Sequence, residues 1–529
     1  MLGGMQDFAL RIPRLIDHAA REHGRREIVS RWADGSETRT DWAGIARDAR
    51  KLAQALVRLG LQGGDRVATL AMNHGRHLTA WHGAIGMGGV IHTVNPRLFD
   101  EQLVYICNHA EDRILLYDRA FQPIVDRLRA RWTTIERYVC FDSDGADGFE
   151  ALTGAEDGDY GWAEGDEREP CMLCYTSGTT GDPKGVLYSH RSTMIHAMAE
   201  VAPWVFNLSP RAVVLPIVPL FHAVGWGLPF AGPLSGAKMV FSAVNDPLVL
   251  CRLMNDEKVT HSAGVPTVWL SMFAHIDATG EAPRHLEQVT IGGSAAPRAM
   301  IARLMDMGVT VKHLWGMTET SPIGTAGTPP PEWEAMGREA QLDLVSKQGQ
   351  VPFGIELRVA GEDGAELPRD GNSAGRLEVR GPWGVKRYFR AESDAIDADG
   401  WFDTGDVAVM HPDGTMQITD RSKDVIKSGG EWISSVDLEN AAIGCHGVAE
   451  AAAIGIPHPK WDERPLLLIV RKPGADVSAG EVTAYLSDKV AKWWLPDEIL
   501  FVESLPHTAT GKLLKTALRE EYRDFRFAP

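Results

Sequence analysis

At 529 residues the chain is too long for one hydrophobic core, which stops growing at roughly 250–300 residues, so at least two domains are expected. Hydrophobic residues make up 44% and charged residues 24%, the balance of an ordinary globular protein rather than a disordered chain. The formal net charge of -17 excludes the strongly basic footprint of a nucleic-acid binder, and it leaves any anionic ligand to be met by local cations and backbone N–H groups.

In chain order, Met1 to Asp7 has no basic region followed by an apolar run, so no secretory leader is expected there. No apolar stretch approaches the roughly 20 residues of a membrane span. A cytoplasmic location is the default expectation. Ile45, Ala49, Leu52, Leu56 and Leu59 recur at three- and four-residue steps, which predicts an amphipathic helix stopped at Gly60. Gly63-Gly64-Asp65 leads into a short apolar strand over 66–72, an order that suits a wound α/β sheet. The acidic stretch 142–169 reads as a solvated loop. Six cysteines are scattered through the chain (Cys107, Cys140, Cys171, Cys174, Cys251 and Cys445). Cys171 and Cys174 form a C-x-x-C without a second ligand pair at zinc spacing, inside what reads as a buried strand, so they are expected to be small apolar core residues.

The run Tyr175-Thr176-Ser177-Gly178-Thr179-Thr180-Gly181-Asp182-Pro183-Lys184-Gly185 is the most informative in the chain. Its glycines let the backbone approach an anion closely, its hydroxyls and N–H groups can ring phosphate oxygens, and Lys184 adds a point charge. It lacks the Gly-Lys-Ser/Thr end of a Walker A loop. Further strands over 211–216 and 288–291 stop at glycine or proline beside distinctive segments, a third spans 311–314, and ligands of open α/β sheets gather at strand carboxyl ends. After the first comes Pro219-Leu220-Phe221-His222-Ala223-Val224-Gly225-Trp226-Gly227-Leu228-Pro229. After the second, Gly292-Gly293-Ser294-Ala295-Ala296-Pro297 offers small residues that leave room beside the main chain. The third opens Trp315-Gly316-Met317-Thr318-Glu319-Thr320-Ser321-Pro322, with an aromatic face, a hydroxyl and a carboxylate suited to a hard cation.

Trp401-Phe402-Asp403-Thr404-Gly405-Asp406 precedes a hairpin turn at Asp413-Gly414 and one last strand. Beyond Arg421 lies a tail of about a hundred residues, the size of a small domain, which places the boundary at Asp420/Arg421. Strands are predicted over 448–454 and 466–470, with helices near 436–442 and 479–492. Asp420-Arg421-Ser422-Lys423-Asp424-Val425-Ile426-Lys427-Ser428-Gly429-Gly430-Glu431-Trp432 joins the two parts, and Leu505-Pro506-His507-Thr508-Ala509-Thr510-Gly511-Lys512 lies near the end.

Taken together and in this order, these segments resemble the signatures of the adenylate-forming superfamily of acyl-CoA synthetases, adenylation domains and luciferases. The resemblance spans nearly the whole chain, and Gly429 to Asn440 with Pro457-His458-Pro459-Lys460-Trp461 is most similar to bacterial medium- and long-chain fatty-acyl-CoA ligases and 3-methylmercaptopropionyl-CoA ligases. It implies a large α/β N-terminal domain of several subdomains (1–420) and a small mobile α+β C-terminal domain (421–529). It also implies an AMP-forming acid:CoA ligase that takes ATP, Mg²⁺ and coenzyme A together with 3-methylmercaptopropionate or a short- to medium-chain fatty acid, a long-chain fatty acid being the alternative, and works as a homodimer.

The roles implied by the resemblance follow residue by residue. Thr176, Ser177, Gly178, Thr179, Thr180 and Lys184 hold ATP phosphates, with Thr176 and Glu319 at the metal. Gly293, Ser294, Ala295, His313, Trp315, Gly316, Met317 and Thr318 surround the nucleotide, whose ribose meets Asp406 and Arg421; Lys427 also faces it. His222, Trp226, Gly293 and Trp432 line the acyl site, and Gly429 and Gly430 line the coenzyme A channel. Lys423 is the hinge and a nucleotide contact, and Lys512, His222, Glu319 and Thr318 are the catalytic set. The usual aromatic residue at position 315 in the family is tyrosine, so tryptophan there keeps a stacking face but loses a phenol hydroxyl. An adenylating enzyme that loads an external carrier, a luciferase-like oxygenase and a non-catalytic nucleotide binder are the competing readings. The last would need a broken constellation, whereas Lys184, Glu319, Asp406 and Lys512 are all present.

Overall fold

The computed structural model describes residues 3–176, 182–429, 431–507 and 513–527, with the backbone alone at Glu431 and Trp432. Ser177, Gly178, Thr179, Thr180, Gly430, Lys512 and the Trp432 side chain therefore lie outside the described residues.

Among the described residues the strands form four sheets. In the first, the parallel strands Arg66–Leu70, Val90–Thr93, Asp112–Tyr117, Arg137–Cys140 and Pro170–Tyr175 end in an antiparallel edge, Gly185–Ser189. In the second, the parallel strands Thr310–Gly316, Gln288–Ile291, His261–Gly264, Val213–Pro216, Lys238–Ser242 and Glu27–Arg31 are closed by an antiparallel strand at each edge. The helix Trp42–Arg58 follows the predicted period: Ile45, Ala49, Leu52 and Leu56 are buried, and the Asp41 side chain caps it by accepting the Gly44 N–H. One apolar core runs between the two sheets, with Trp42, Trp81, Phe141, Met172 and Phe230 in it. Parallel strands covered on both faces explain the continuous apolar runs in the sequence.

A four-stranded antiparallel sheet follows, Glu356–Ala360, Gly375–Arg380, Phe402–Met410 and Met416–Arg421, whose last hairpin turns at Asp413-Gly414 as expected. The final sheet, built on Val448–His458 and Asp462–Arg471, is packed by the helices Ser435–Ile443 and Ala479–Ser487 around its own core of Ile426, Leu438, Leu467 and Val482. Bonds reach across the segment between these sheets. Asp420, fully buried, accepts the Ser435 N–H at 2.6 Å, and Ser434 Oγ donates to the Thr419 carbonyl. Lys515 donates to Ser435 Oγ at 2.5 Å and pairs with Glu439 at 2.7 Å.

Two expectations need correction. The acidic stretch is not simply solvated. It contains a helix, Phe149–Gly154, with Phe149 and Thr153 buried, and its carboxylates are partnered: Glu167 accepts the Leu10 N–H at 2.8 Å and Glu169 meets the buried Arg11 at 2.8 Å. The helix expected over 479–492 stops at Ser487, where Ser487 and Asp488 are weak helix formers and Val490 turns back, its N–H donating to the Leu486 carbonyl. Cys171 and Cys174 are buried, as expected, and so are the other four cysteines. Among the described residues no helix is long and apolar enough to cross a membrane.

Lys312 is an unanticipated feature of the second sheet. It is 3% exposed, its ammonium donates to the Pro203 carbonyl, and burial lowers its pKa from 10.5 to about 8. A lysine with a depressed folded pKa binds fewer protons folded than unfolded between those values, so it makes stability rise with pH from about 8 to 10.5. Below pH 8 the full cost is present, at most about 3 kcal/mol. Lys312→Met is therefore expected to melt above the wild type at pH 7.5, with the advantage shrinking by pH 10. Thermal melts of the pair across that range check it, and a difference independent of pH would refute the assignment.

Candidate active site

The strands on either side of the phosphate-loop segment pair antiparallel. Tyr175 pairs with Gly185, the Thr176 N–H donates to the Lys184 carbonyl at 2.8 Å, and the Lys184 N–H donates to Thr176 Oγ1 at 3.2 Å. Thr176 and Lys184 thus close the two ends of a loop whose residues 177–181 are not described. Below it, His109 Nδ1 lies 2.7 Å from the Tyr175 hydroxyl.

The Trp315 segment leaves its strand in a tight turn. The Met317 N–H donates to the Pro322 carbonyl at 3.0 Å, and a Cβ on Gly316 would lie 1.9 Å from that oxygen, so only glycine fits. The turn presents Thr318, Glu319 and Thr320 as a short 3-10 element, all buried. The Tyr188 hydroxyl donates to the Thr318 carbonyl at 2.6 Å, and the Tyr388 hydroxyl donates to Glu319 Oε1 at 2.8 Å. Burial raises the Glu319 pKa, against the Tyr388 hydrogen bond and the charges of Arg421 and Lys184, which lower it. Two cations from separate segments are thus felt electrostatically at one desolvated carboxylate.

Trp315 and Asp406 meet directly: the indole N–H donates to Asp406 Oδ2 at 2.8 Å, while Arg421 Nε lies 3.4 Å from Oδ1. Tryptophan in place of tyrosine therefore supplies a donor that holds a buried carboxylate, a consequence the sequence did not reveal. The other face of the indole is close to Gly324, where a Cβ would enter the ring. Asp406 keeps a lone pair on each oxygen for further donors.

The His222 segment folds in an unexpected way. Ala223, Val224, Gly225, Trp226 and Gly227 all have positive φ, from 36° to 70°, forming a left-handed turn. For L residues this costs about 1–2 kcal/mol each, which the surrounding packing must offset. The Trp226 ring lies against Gly292 and Gly293, where added Cβ atoms would meet it at 3.2 and 3.9 Å. His222 sits at the start of the turn, and its carbonyl accepts the Gly225 N–H at 3.0 Å. Asn73 secures the approach to it, donating to the Pro216 and Val218 carbonyls and accepting the Leu220 N–H at 2.8 Å. His313, held neutral because burial drives its pKa down to about 4, has Nδ1 3.1 Å from the Ser346 carbonyl. Ser294 is exposed beside the partly buried Gly293 and Ala295.

The structure thus links Thr176, Lys184 and Glu319 through Tyr388, with Thr318 beside Glu319; it joins Trp315, Asp406 and Arg421 directly, and it sets Trp226 against Gly293. It does not join Lys427 and Gly429 to them. These lie on the Ile426–Ser428 hairpin, whose described bonds run to the C-terminal sheet: the Lys427 N–H to Glu463 at 2.9 Å and the Gly429 N–H to the Trp461 carbonyl at 2.7 Å. Lys423 is exposed between them and Arg421. Sequence reasoning missed Tyr388, Tyr188 and Asn73. Asn73 lies just past the carboxyl end of the Arg66–Leu70 strand, after Ala71 and Met72, a signal that could have been used; Tyr388 carries none.

Hydroxyl, carboxylate and cationic groups gathered at the carboxyl ends of wound parallel strands, followed by a small sheet with its own core, are the arrangement of an adenylate-forming enzyme. The comparisons agree: the family described as AMP-binding enzyme matches residues 16–389, and that described as AMP-binding enzyme C-terminal domain matches 437–512. The chain belongs to this family. It is 48% identical over 99% of both chains to the 3-methylmercaptopropionyl-CoA ligase of Ruegeria lacuscaerulensis. It is 45% identical to the medium-chain-fatty-acid–CoA ligase of Ectopseudomonas oleovorans, over 99% of this chain and 98% of the other. To the long-chain-fatty-acid–CoA ligase of Thermus thermophilus it is 44% identical, over 98% and 97%. Among solved structures, ATP-bound MatB from Rhodopseudomonas palustris superposes with a TM-score of 0.83 at 26% identity, covering 97% of this chain and 99% of that one. The anthranilate CoA ligase AuaEII shares the fold at a TM-score of 0.87 and 23% identity, covering 98% and 99%. The protein is an AMP-forming acid:CoA ligase, acting on a carboxylic acid, ATP and coenzyme A.

Proposed function

We propose that the acid is 3-methylmercaptopropionate or a short- to medium-chain fatty acid. The observation that carries this is the 48% identity, end to end, to 3-methylmercaptopropionyl-CoA ligases of two Ruegeria species. The 44% identity to a long-chain ligase keeps a longer fatty acid as the second reading. The enzyme is read as a cytoplasmic homodimer, with its domain boundary at Asp420/Arg421.

A carboxylate is a poor acyl donor because its leaving group would be oxide. In the proposed first step a substrate carboxylate oxygen bonds to the α-phosphorus of ATP while the bond to pyrophosphate breaks. Thr176, Lys184 and the loop between them bind the phosphates; Asp406 and Arg421 fix the ribose; Trp315, His313 and the 292–295 turn enclose the adenine and the acyl-adenylate. Lys512 meets charge on the α-phosphate and substrate oxygens, the kind of electrostatic stabilisation that usually dominates catalysis. The oxygen-only donor set of Glu319 and Thr176 fits a magnesium ion, which when bound would neutralise charge on the departing pyrophosphate. The small domain then turns about Lys423 and the face of Gly429, Gly430 and Trp432 replaces Lys512. The coenzyme A sulfur bonds to the acyl carbon and AMP leaves. His222 and Trp226 border the acyl carboxylate and chain.

The test is a panel of acids from propionate through palmitate, with 3-methylmercaptopropionate included, assayed by AMP release with and without coenzyme A. The expected optimum in kcat/KM lies at or below medium chain length, with 3-methylmercaptopropionate among the best. An optimum at palmitate would transfer the reading to long-chain acids. AMP release unaffected by coenzyme A, with acylation of an added carrier protein, would favour carrier loading.

A further inference from the structure

Residues 383–389 form a strap tied to both halves of the nucleotide site. At one end the Trp383 indole N–H donates to the Ile323 carbonyl at 2.9 Å, Ser321 Oγ donates to the Trp383 carbonyl at 2.7 Å, and the Val385 N–H donates to the Glu319 carbonyl at 2.7 Å. At the other the Phe389 N–H donates to the Gly185 carbonyl at 2.7 Å, at the end of the phosphate-loop segment. Between these anchors stands Tyr388. Its hydroxyl donates to Glu319 Oε1 at 2.8 Å, and the Lys184 ammonium lies 4.9 Å from the centre of its ring. One side chain therefore touches the buried carboxylate through its polar tip and the loop cation through its aromatic face. Lys184 itself is solvent-exposed, so the ring is what gives it a preferred place.

We infer that Tyr388 is a positioning residue for adenylation, one that aims the Glu319 carboxylate at the metal and holds Lys184 in place at the end of the phosphate-loop segment. This rests on the reading of Glu319 as a magnesium-binding carboxylate. A carboxylate left to rotate satisfies a cation's geometry only part of the time, whereas one oxygen fixed by a charge-assisted hydrogen bond sets the direction of the other. Because the phenol acts on the metal ligand and the ring acts on the lysine, the two contributions separate by substitution.

ATP binding to the full-length enzyme, measured calorimetrically in EDTA and across a magnesium titration, tests this without turnover. Tyr388→Phe keeps the ring and loses only the hydroxyl. The magnesium concentration that half-maximally tightens ATP binding is expected to rise about tenfold, with the ATP Kd in EDTA unchanged. Tyr388→Leu should in addition weaken ATP about threefold in EDTA, because Lys184 loses its ring. Thioester formation from supplied acyl-adenylate should stay within twofold of wild type in the Phe variant. A Phe variant with wild-type magnesium dependence, or one weakened equally with and without magnesium, overturns the inference. Should wild-type ATP binding itself ignore magnesium, the reading of Glu319 falls, and this inference with it.

Discussion

Lys512→Ala is expected to lose acyl-adenylate formation by about a thousandfold, while thioester formation from supplied acyl-adenylate stays within a few fold of wild type. The reasoning begins with charge. At a net -17 the molecule repels its own nucleotide substrate, so each local cation near the α-phosphate carries a large share of the stabilisation. Arg421 is already engaged with Asp406, and Lys184 lies against the Tyr388 ring. In the proposed reading, charge on the α-phosphate and the substrate oxygens is met by Lys512. Gly430→Leu should do the reverse, sparing adenylation and blocking acyl transfer, because on the proposed reading a branched side chain would fill the route of the pantetheine arm. Pyrophosphate exchange reads the first half-reaction and coenzyme A consumption with synthetic acyl-adenylate reads the second. If both variants damage both halves equally, two alternating uses of one site are ruled out.

Gly316→Ala should be nearly as damaging, for a reason that is purely geometric. The new methyl would meet the Pro322 carbonyl oxygen at 1.9 Å, its carbon at 2.8 Å and Ile323 Cα at 3.2 Å. All three are backbone atoms, so no rotamer change relieves the clash and the turn must open. Opening it moves Trp315 away from Asp406 on one side and Glu319 away from Tyr388 on the other. A loss of at least about a hundredfold in pyrophosphate exchange is expected, because misplacement of the order of 1 Å suffices for that. A melting temperature lower by a few degrees should accompany it, since overpacking costs about 1–3 kcal/mol. Exchange within threefold of wild type would mean that this turn does not set the nucleotide geometry.

What the sequence disclosed and what it hid divide along a physical line. Local patterns were readable: the helix from Ile45 onward, the Asp413-Gly414 hairpin, the buried Cys171 strand and the glycine-rich segments at strand ends all depend on neighbours within a few residues. Contacts that join distant segments were not. Tyr388 lies 69 positions from Glu319, Asn73 is 147 from Leu220, and nothing in either neighbourhood specifies the partner. The left-handed turn was invisible for another reason. Val224 is β-branched and resists positive φ, so propensity argues against the conformation that tertiary packing imposes. The acidic stretch misled because its composition suggests water, while Arg11 and the Leu10 N–H draw Glu169 and Glu167 onto the protein.

That left-handed turn also restricts how acid preference can be re-engineered. Its two glycines are locked: a Cβ on Gly227 would collide with both Glu200 carboxyl oxygens at about 2 Å, and one on Gly225 with Leu220 at 2.9 Å. On the proposed reading of Trp226 as an acyl-site residue, mutagenesis aimed at acid preference is therefore best spent on Trp226 itself, since a Cβ on Gly292 would meet Leu314 at 2.5 Å. Libraries that randomise the turn itself would yield misfolded protein before they yielded new substrates.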